Sequence, residues 1–169
     1  MRNRNLFIAV LALLFSTSIA YTQSPLPKGQ TQLNLGVGLS SWGVPFYFGL
    51  DHAVHRDVSV GGEVSFRNYD DDLDGNRYRH GIVGIAANTN YHFNTVFNMR
   101  SNWDLYAGLN LGFYIWNSPD RYEGSKTSGL GLGAQVGTRY YLSDTFGFNL
   151  EIGTGTRFSD AKFGVSFRL

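Results

Sequence analysis

The residues best suited to bind a ligand in this sequence are the acidic run at positions 70–75, DDDLDG. Its D-x-D-x-D-G spacing lets alternate carboxylates converge on one cation, and the glycine permits a sharp turn, as in a calcium-binding loop. An EF-hand would also need a bidentate glutamate at its twelfth position, which is Gly81 here. The sequence therefore excludes an EF-hand. It leaves open a weak surface calcium site formed by Asp70, Asp72 and Asp74, or a solvated acidic loop.

Nucleophilic catalysis needs a base within hydrogen-bond reach of the nucleophile. The four histidines, at positions 52, 55, 80 and 92, show no metal-ligand spacing, and no Ser/His/acid set can be recognised in one place. With no cysteine in the chain, a thiolate metal site and a disulfide framework are both excluded. We predict no metal centre, no cofactor and no enzymatic activity.

The elements that position these residues are β-strands. From residue 30 onwards apolar and polar residues alternate, which is the period of a strand with one apolar and one polar face. The pattern is clearest in residues 161–169, which end the chain on Leu169. It predicts eight strands of about nine to thirteen residues, long enough to cross a bilayer at a tilt. The predicted connections are 40–43, 55–57, 70–78, 94–102, 117–128, 143–144 and 159–160.

Alternation alone does not say which face points outwards, because a lipocalin-like soluble barrel has the same period with the opposite sense. The apolar face carries more bulky side chains than the lumen of eight strands can hold. The polar face is mostly Gly, Asn, Ser and Thr rather than Lys and Glu. Aromatic residues on the apolar face also fall near the strand ends, which is typical of interfacial girdles. We therefore predict an all-β, eight-stranded antiparallel up-and-down transmembrane β-barrel.

With these features, residues 30–169 resemble the small eight-stranded outer-membrane barrels of the OmpA/OmpX type. Such barrels usually end on Phe or Trp, whereas this chain has Phe167 and then ends on Leu169. The resemblance implies a monomer that the barrel-assembly machinery inserts into the outer membrane of a Gram-negative-type bacterium. It also implies contact with outer-membrane lipid and lipopolysaccharide. Some such barrels modify lipid A, and here only His80 is placed for that chemistry.

Several charged residues share the polar, inward face of the predicted strands. Counting across the predicted hairpins places Glu151 near Arg168 and diagonal to Arg139, so ion pairing is expected because an isolated buried charge is very costly. Two interpretations remain, a structural plug of salt bridges and a gate or narrow ion path, and the narrow lumen favours the plug. The predicted lumen ion-pair network is Glu63, Arg67, Arg139, Glu151, Arg157, Lys162 and Arg168.

The N-terminus is typical of a secretory signal peptide. Arg2 and Arg4 precede a continuous apolar run over residues 6–15, and Ser18-Ile19-Ala20 supplies small residues for cleavage. We predict a signal peptide over 1–20, an extended lead-in over 21–29 and the barrel domain over 30–169. Removing Arg2 and Arg4 from the 14 basic residues leaves 12 against 13 acidic ones, so no basic surface suggests nucleic acid.

For function, the sequence favours a barrel with a mostly filled lumen and a structural or surface-interaction role, in adhesion or envelope integrity. The alternatives are a component of a secretion or envelope-assembly system, with the connection 94–102 as the contact, then a narrow channel, then a lipid-modifying enzyme. A surface or envelope protein partner stays open.

Overall fold

In the computed structural model, residues 25–73, 75–119, 128–155 and 160–169 are described. They form eight antiparallel strands and one short helix. Each strand pairs with the next, and β1 pairs with β8, which closes the barrel. The elements are β1 (Thr31–Leu39), β2 (Phe46–His55), β3 (Val58–Leu73), β4 (Asn76–His92), α1 (Asn94–Phe97), β5 (Trp103–Asn117), β6 (Gly129–Tyr141), β7 (Phe146–Gly155) and β8 (Ala161–Arg168). Within the described ranges, no helix is both long and apolar enough to cross a membrane.

The barrel is apolar outside and polar inside. Leu132 and Ile152 point outwards with 65% of their surface exposed, whereas Asp104 and Arg67 point inwards and are at most 2% exposed. This is the reverse of a soluble barrel, so the outer face needs an apolar solvent such as a bilayer. The predicted fold class and its inside-out orientation are confirmed.

Outward-facing aromatic side chains lie near both ends of the barrel. We call the end with the β1–β2, β3–β4, β5–β6 and β7–β8 connections the hairpin end, and the end where β1 starts and β8 finishes the terminal end. On the outward face, Phe46 lies opposite Phe66 near the hairpin end. Near the terminal end the rings of Trp103 and Tyr140 are 4.9 Å apart. Aromatic belts therefore flank an aliphatic band, as expected of a membrane barrel.

The predicted loop over residues 70–78 is wrong, because β3 and β4 continue through most of it as one long hairpin. Asp70 lies opposite Arg79 and Asp72 opposite Arg77, and opposite charges on facing positions stabilise strand pairing. Outward residues turn polar beyond Phe66 on β3 and beyond Val83 on β4. The tip of this hairpin therefore projects past the apolar band.

The predicted register between the last two strands is also wrong. Glu151 lies opposite Lys162 rather than near Arg168. β7 ends at Gly155, whose φ of +138° suits glycine and whose Cβ position is blocked by the Leu132 carbonyl oxygen at 2.4 Å. The connection therefore starts earlier than the predicted turn at 159–160, and residues 156–159 lie outside the described residues.

The seam that closes the barrel allows no side chain at one point, which gives a first prediction. Gly36 of β1 faces Gly164 of β8, and a Cβ on Gly164 would lie 2.2 Å from the Leu35 carbonyl oxygen. Gly164→Ala should lower the free energy of unfolding by about 1–3 kcal/mol through overpacking. The measurement is a urea titration, with the folded fraction read from the difference in mobility of unboiled and boiled samples on SDS gels.

Gly62→Ala is the matched control for this substitution. Gly62 is an exposed strand glycine whose added Cβ meets only the Ala86 carbonyl oxygen, at 3.6 Å. Its urea midpoint should stay at or slightly above that of the wild type. Equal midpoints for Gly164→Ala and Gly62→Ala would contradict a tightly sealed β1–β8 seam.

Candidate functional site

The lumen holds most of the charged side chains that the sequence placed on the inward face. Polar and charged residues from all eight strands converge there, and the cavity that they line measures about 20 Å³. A cavity of this size has room for roughly one water molecule. The middle of the barrel is therefore filled by side chains.

One ion-pair cluster, which we call the lysine cluster, lies around Lys162 of β8. The Lys162 Nζ donates to Glu63 Oε2 of β3 at 2.7 Å and lies 3.1 Å from Glu151 Oε1 of β7. Glu63 is far from Lys162 around the barrel wall, so this pair spans the lumen. One ammonium thus holds together carboxylates from two different strands.

A second cluster, which we call the arginine cluster, lies nearer the terminal end. The Arg139 guanidinium donates through Nη1 to Asp104 Oδ2 and through Nη2 to Asp51 Oδ2, each at 2.8 Å. All three side chains are at most 4% exposed. Asn34 also donates to Asp51 Oδ2, at 2.9 Å. Charge-assisted bonds of this kind are stronger than neutral ones, and here they tie β2, β5 and β6 together.

Tyr106 joins the two clusters. Its hydroxyl donates to Glu151 Oε2 at 3.0 Å, and the Arg139 guanidinium carbon lies 4.1 Å from the centre of its ring. A neighbouring amide relay runs from Asn110 through Gln135 to Asn90, at 2.5 and 2.7 Å. Tyr106 therefore connects the two clusters into one network, and the amide relay lies beside it.

The structure brings four of the seven predicted network residues into these clusters: Glu63, Arg139, Glu151 and Lys162. Arg67 instead donates to Ser40 Oγ near the hairpin end, at 2.8 Å. Arg168 donates to the carbonyl oxygens of Asp144 and Ser101 and lies over the Tyr141 ring. Arg157 lies outside the described residues.

The sequence places Asp51 and Asp104 on the inward face, but the predicted ion-pair network did not include these two carboxylates of the arginine cluster. Asp104 could have been found, since it lies directly opposite Arg139 on the neighbouring strand. Asp51 reaches Arg139 across the lumen, and no count along adjacent strands would have found it.

A Ser/His/acid arrangement that the sequence did not reveal is present at the terminal end. His92 Nε2 lies 3.0 Å from Ser59 Oγ, and His92 Nδ1 lies 2.8 Å from Asp104 Oδ1. These contacts match those of a catalytic triad. However, Ser59, His92 and Asp104 are each at most 2% exposed, so a substrate carbonyl cannot reach the serine oxygen in this conformation. The arrangement extends the arginine cluster and serves packing.

The hairpin end of the lumen is closed by rings. This aromatic cap consists of Trp42, Tyr69, His80 and Trp116, with ring centres 5.2 to 6.3 Å apart between neighbours. Trp42, Tyr69 and Trp116 pack on the buried Ile82 and Tyr114. His80, the histidine considered for lipid chemistry, is fully buried and within hydrogen-bonding distance of Ser118 Oγ, at 2.9 Å.

The projecting β3–β4 hairpin carries charges on its outward face. Asp70 accepts from Arg79 Nε at 2.9 Å and lies 3.0 Å from Arg77 Nη2. The hydrogen bond from Arg79 is the main reason that the pKa of Asp70 lies below its usual range. The carboxylate of Asp70 is therefore already neutralised by arginines. Asp74, the third residue of the predicted calcium site, lies outside the described residues, and among those that are described no group of three metal-ligating side chains is found.

Comparisons with known proteins bear on the fold. No protein-family model matches the sequence, and no curated protein matches it. The outer membrane protein OprG from Pseudomonas aeruginosa superposes with a TM-score of 0.65 at 12% identity, over 84% of this chain and 96% of that one. Ail of Yersinia pestis, in complex with the heparin analogue sucrose octasulfate, gives 0.56 at 13% identity, over 84% and 99%. The N-terminal barrel of Pseudomonas aeruginosa OprF gives 0.54 at 14%, over 84% and 98%.

The chain has the fold of the small eight-stranded outer-membrane β-barrels. At these identities the likeness concerns the fold and not a shared activity. Any statement on the role of this chain therefore has to rest on its own side chains, namely the two lumen clusters, the aromatic cap and the charged hairpin.

The lysine cluster generates a second prediction. Lys162→Met leaves Glu63 and Glu151 buried without a cation, so it should lower the free energy of unfolding by about 3–5 kcal/mol. The triple variant Lys162→Met/Glu63→Gln/Glu151→Gln removes the unpaired charges and should recover most of the loss. Urea titrations of the refolded barrel measure both, and Lys28→Met, an exposed lysine outside the lumen, is the control. A wild-type midpoint for Lys162→Met would show that the cluster is not structural.

The hairpin generates a third prediction, on pH. Because the folded pKa of Asp70 is depressed, its stabilising contact is present above the ordinary aspartate pKa and is lost as the pH falls through the lower, folded value. Arg79→Gln should return the pKa towards the ordinary value, and Arg77→Gln should do so less, since Arg79 makes the dominant contact. Carboxyl chemical shifts followed by NMR over acidic pH measure this. Equal shifts in both variants would contradict the assigned dominance of Arg79.

Proposed function

We propose that the protein is a non-catalytic outer-membrane barrel that supports envelope integrity. Its lumen is a structural core, and its β3–β4 hairpin is the surface that contacts lipopolysaccharide. The export signal predicted over residues 1–20 agrees with this location. The observation that carries the proposal is the charged outward face of the hairpin, placed directly beyond the apolar band.

The direction in which the charged side chains of the hairpin point determines what they can contact. Arg77 and Arg79 are on the same side of β4 as Val83 and Ile85, which face the lipid. They therefore point sideways, towards the headgroups of neighbouring lipids, rather than away from the membrane. Their side chains are 72% and 75% exposed despite the contacts with Asp70.

The chemistry of the face suits lipopolysaccharide. Guanidinium groups bind phosphates through paired hydrogen bonds. Asp72, on the same face, adds a carboxylate of the kind that binds divalent cations, which bridge such phosphates. A face with both signs of charge thus matches a layer in which phosphates and divalent cations alternate. Ail, which shares the fold, is known in complex with a sulfated sugar, and the proposal extends only the idea of an anionic saccharide to this chain.

The fourth prediction tests this function. A ligand that binds the folded barrel raises its stability by mass action, so the urea midpoint should be higher in bilayers containing lipopolysaccharide than in phospholipid alone. The double variant Arg77→Gln/Arg79→Gln should start from a slightly lower phospholipid midpoint, because it loses the contacts with Asp70. Measured against that midpoint, it should lose most of the lipopolysaccharide-dependent rise.

Arg56→Gln is the control for this test. Arg56 is 60% exposed but lies in the β2–β3 turn at the terminal end, so its rise should match that of the wild type. An undiminished rise in the double variant would refute the proposed contact. Repeating the titration with a chelator reveals how much of the rise depends on divalent cations.

A further inference from the structure

The connection between β4 and β5 exposes apolar side chains at the terminal end of the barrel. Val96 and Phe97, both in α1, are 59% and 60% exposed. A short connecting segment would normally keep such residues out of water. Exposure of these two side chains to water would therefore be unfavourable, which indicates an apolar contact at this site.

These side chains are held in place by the polar residues beside them. Asn94 is fully buried and donates to the Trp103 carbonyl oxygen while accepting from the Leu105 amide at 3.3 Å. The Thr95 hydroxyl donates to Asp57 Oδ1 at 2.5 Å. The first two residues of α1 thus attach it to the barrel rim, and the next two point away from the rim.

Ring contacts set the direction in which the Phe97 side chain points. The Phe97 ring stacks on Phe93, with centres 5.8 Å apart and an interplanar angle of 25°. Phe93 in turn meets Tyr91 at 5.1 Å. Tyr91 is on the outward side near the end of β4, and Phe93 follows directly after β4, so both lie at the aromatic belt of the terminal end. The exposed Phe97 ring is therefore continuous with the lipid-facing surface, and Val96 is exposed next to it in the chain.

We propose that Val96 and Phe97 insert at the boundary between headgroups and acyl chains of the adjacent leaflet, so that α1 is a membrane anchor. The occupant of this apolar surface is phospholipid. Aromatic side chains are favoured at that depth, and the continuity with Tyr91 and Phe93 brings them there. The connection over residues 94–102, which the sequence offered as a contact for a secretion or assembly partner, thereby faces lipid and not a protein.

The absence of cysteine from the sequence makes a direct test possible. A single cysteine is placed at Val96 or at Phe97, labelled with a nitroxide and reconstituted with the full barrel in phospholipid vesicles. Collision with oxygen, which concentrates in lipid, is compared with collision with a water-soluble nickel complex. Labelling Val96 leaves Phe97 intact, so loss of the ring cannot by itself remove the anchor.

Two reference positions make the outcome decisive. Val136→Cys reports the lipid-facing band, and Ser143→Cys reports the exposed β6–β7 turn at the terminal end. Both α1 labels should favour oxygen over nickel several-fold relative to Ser143→Cys, approaching Val136→Cys. Nickel accessibility equal to that of Ser143→Cys, with Val136→Cys still protected, would overturn the anchor. Loss of protection at Val136→Cys would instead refute membrane insertion of the barrel, on which the function proposed above rests.

Discussion

Among the described residues, the inward-facing charges of the two clusters find their partners inside a lumen that eight strands leave only wide enough for side chains. Lys162 meets Glu63 and Glu151, and Arg139 meets Asp51 and Asp104, so four carboxylates are held by two cations. Because an unpaired charge in this enclosed space would be very costly, strands that are distant in sequence must lie opposite one another. The pairs Lys162–Glu63 and Arg139–Asp51 therefore depend on the closed barrel, which holds these strands opposite one another.

The polar lumen specifies a structure rather than simply adding stability. A buried ion pair gains little over well-packed apolar residues once desolvation is counted, although breaking one is strongly destabilising. Here an apolar interior would make both faces of each strand alike and would leave the direction of the strands undefined. Tyr106, which contacts both Glu151 and Arg139, shows how the two clusters are coupled into one arrangement. The Ser59–His92–Asp104 contacts are another part of that arrangement, although they match those of a hydrolase.

The sequence predicted the fold well because a period of two residues survives in every strand, and the inward residues of the two lumen clusters lie on the face that their parity indicated. It failed where pairing depends on the length of a connection. The turn expected at 159–160 would have placed Glu151 beside Arg168, whereas the observed register places it beside Lys162. The prediction of a loop at residues 70–78 was also wrong. Aspartates disfavour strands, but here arginines on the facing strand stabilise a β-hairpin. Contacts across the lumen, such as Asp51 with Arg139, depend on barrel closure and leave no local signal.

Whether side chains close the lumen is tested most directly by the electrical conductance of the purified barrel in a planar bilayer. We expect the wild-type barrel to insert without adding steady conductance, because the cavity at its centre measures only about 20 Å³. Shortening both cations, in Lys162→Ala/Arg139→Ala, should open a leak in whatever fraction still folds. Resolved, uniform conductance steps from the wild-type barrel would contradict the account and would make the lumen a passage.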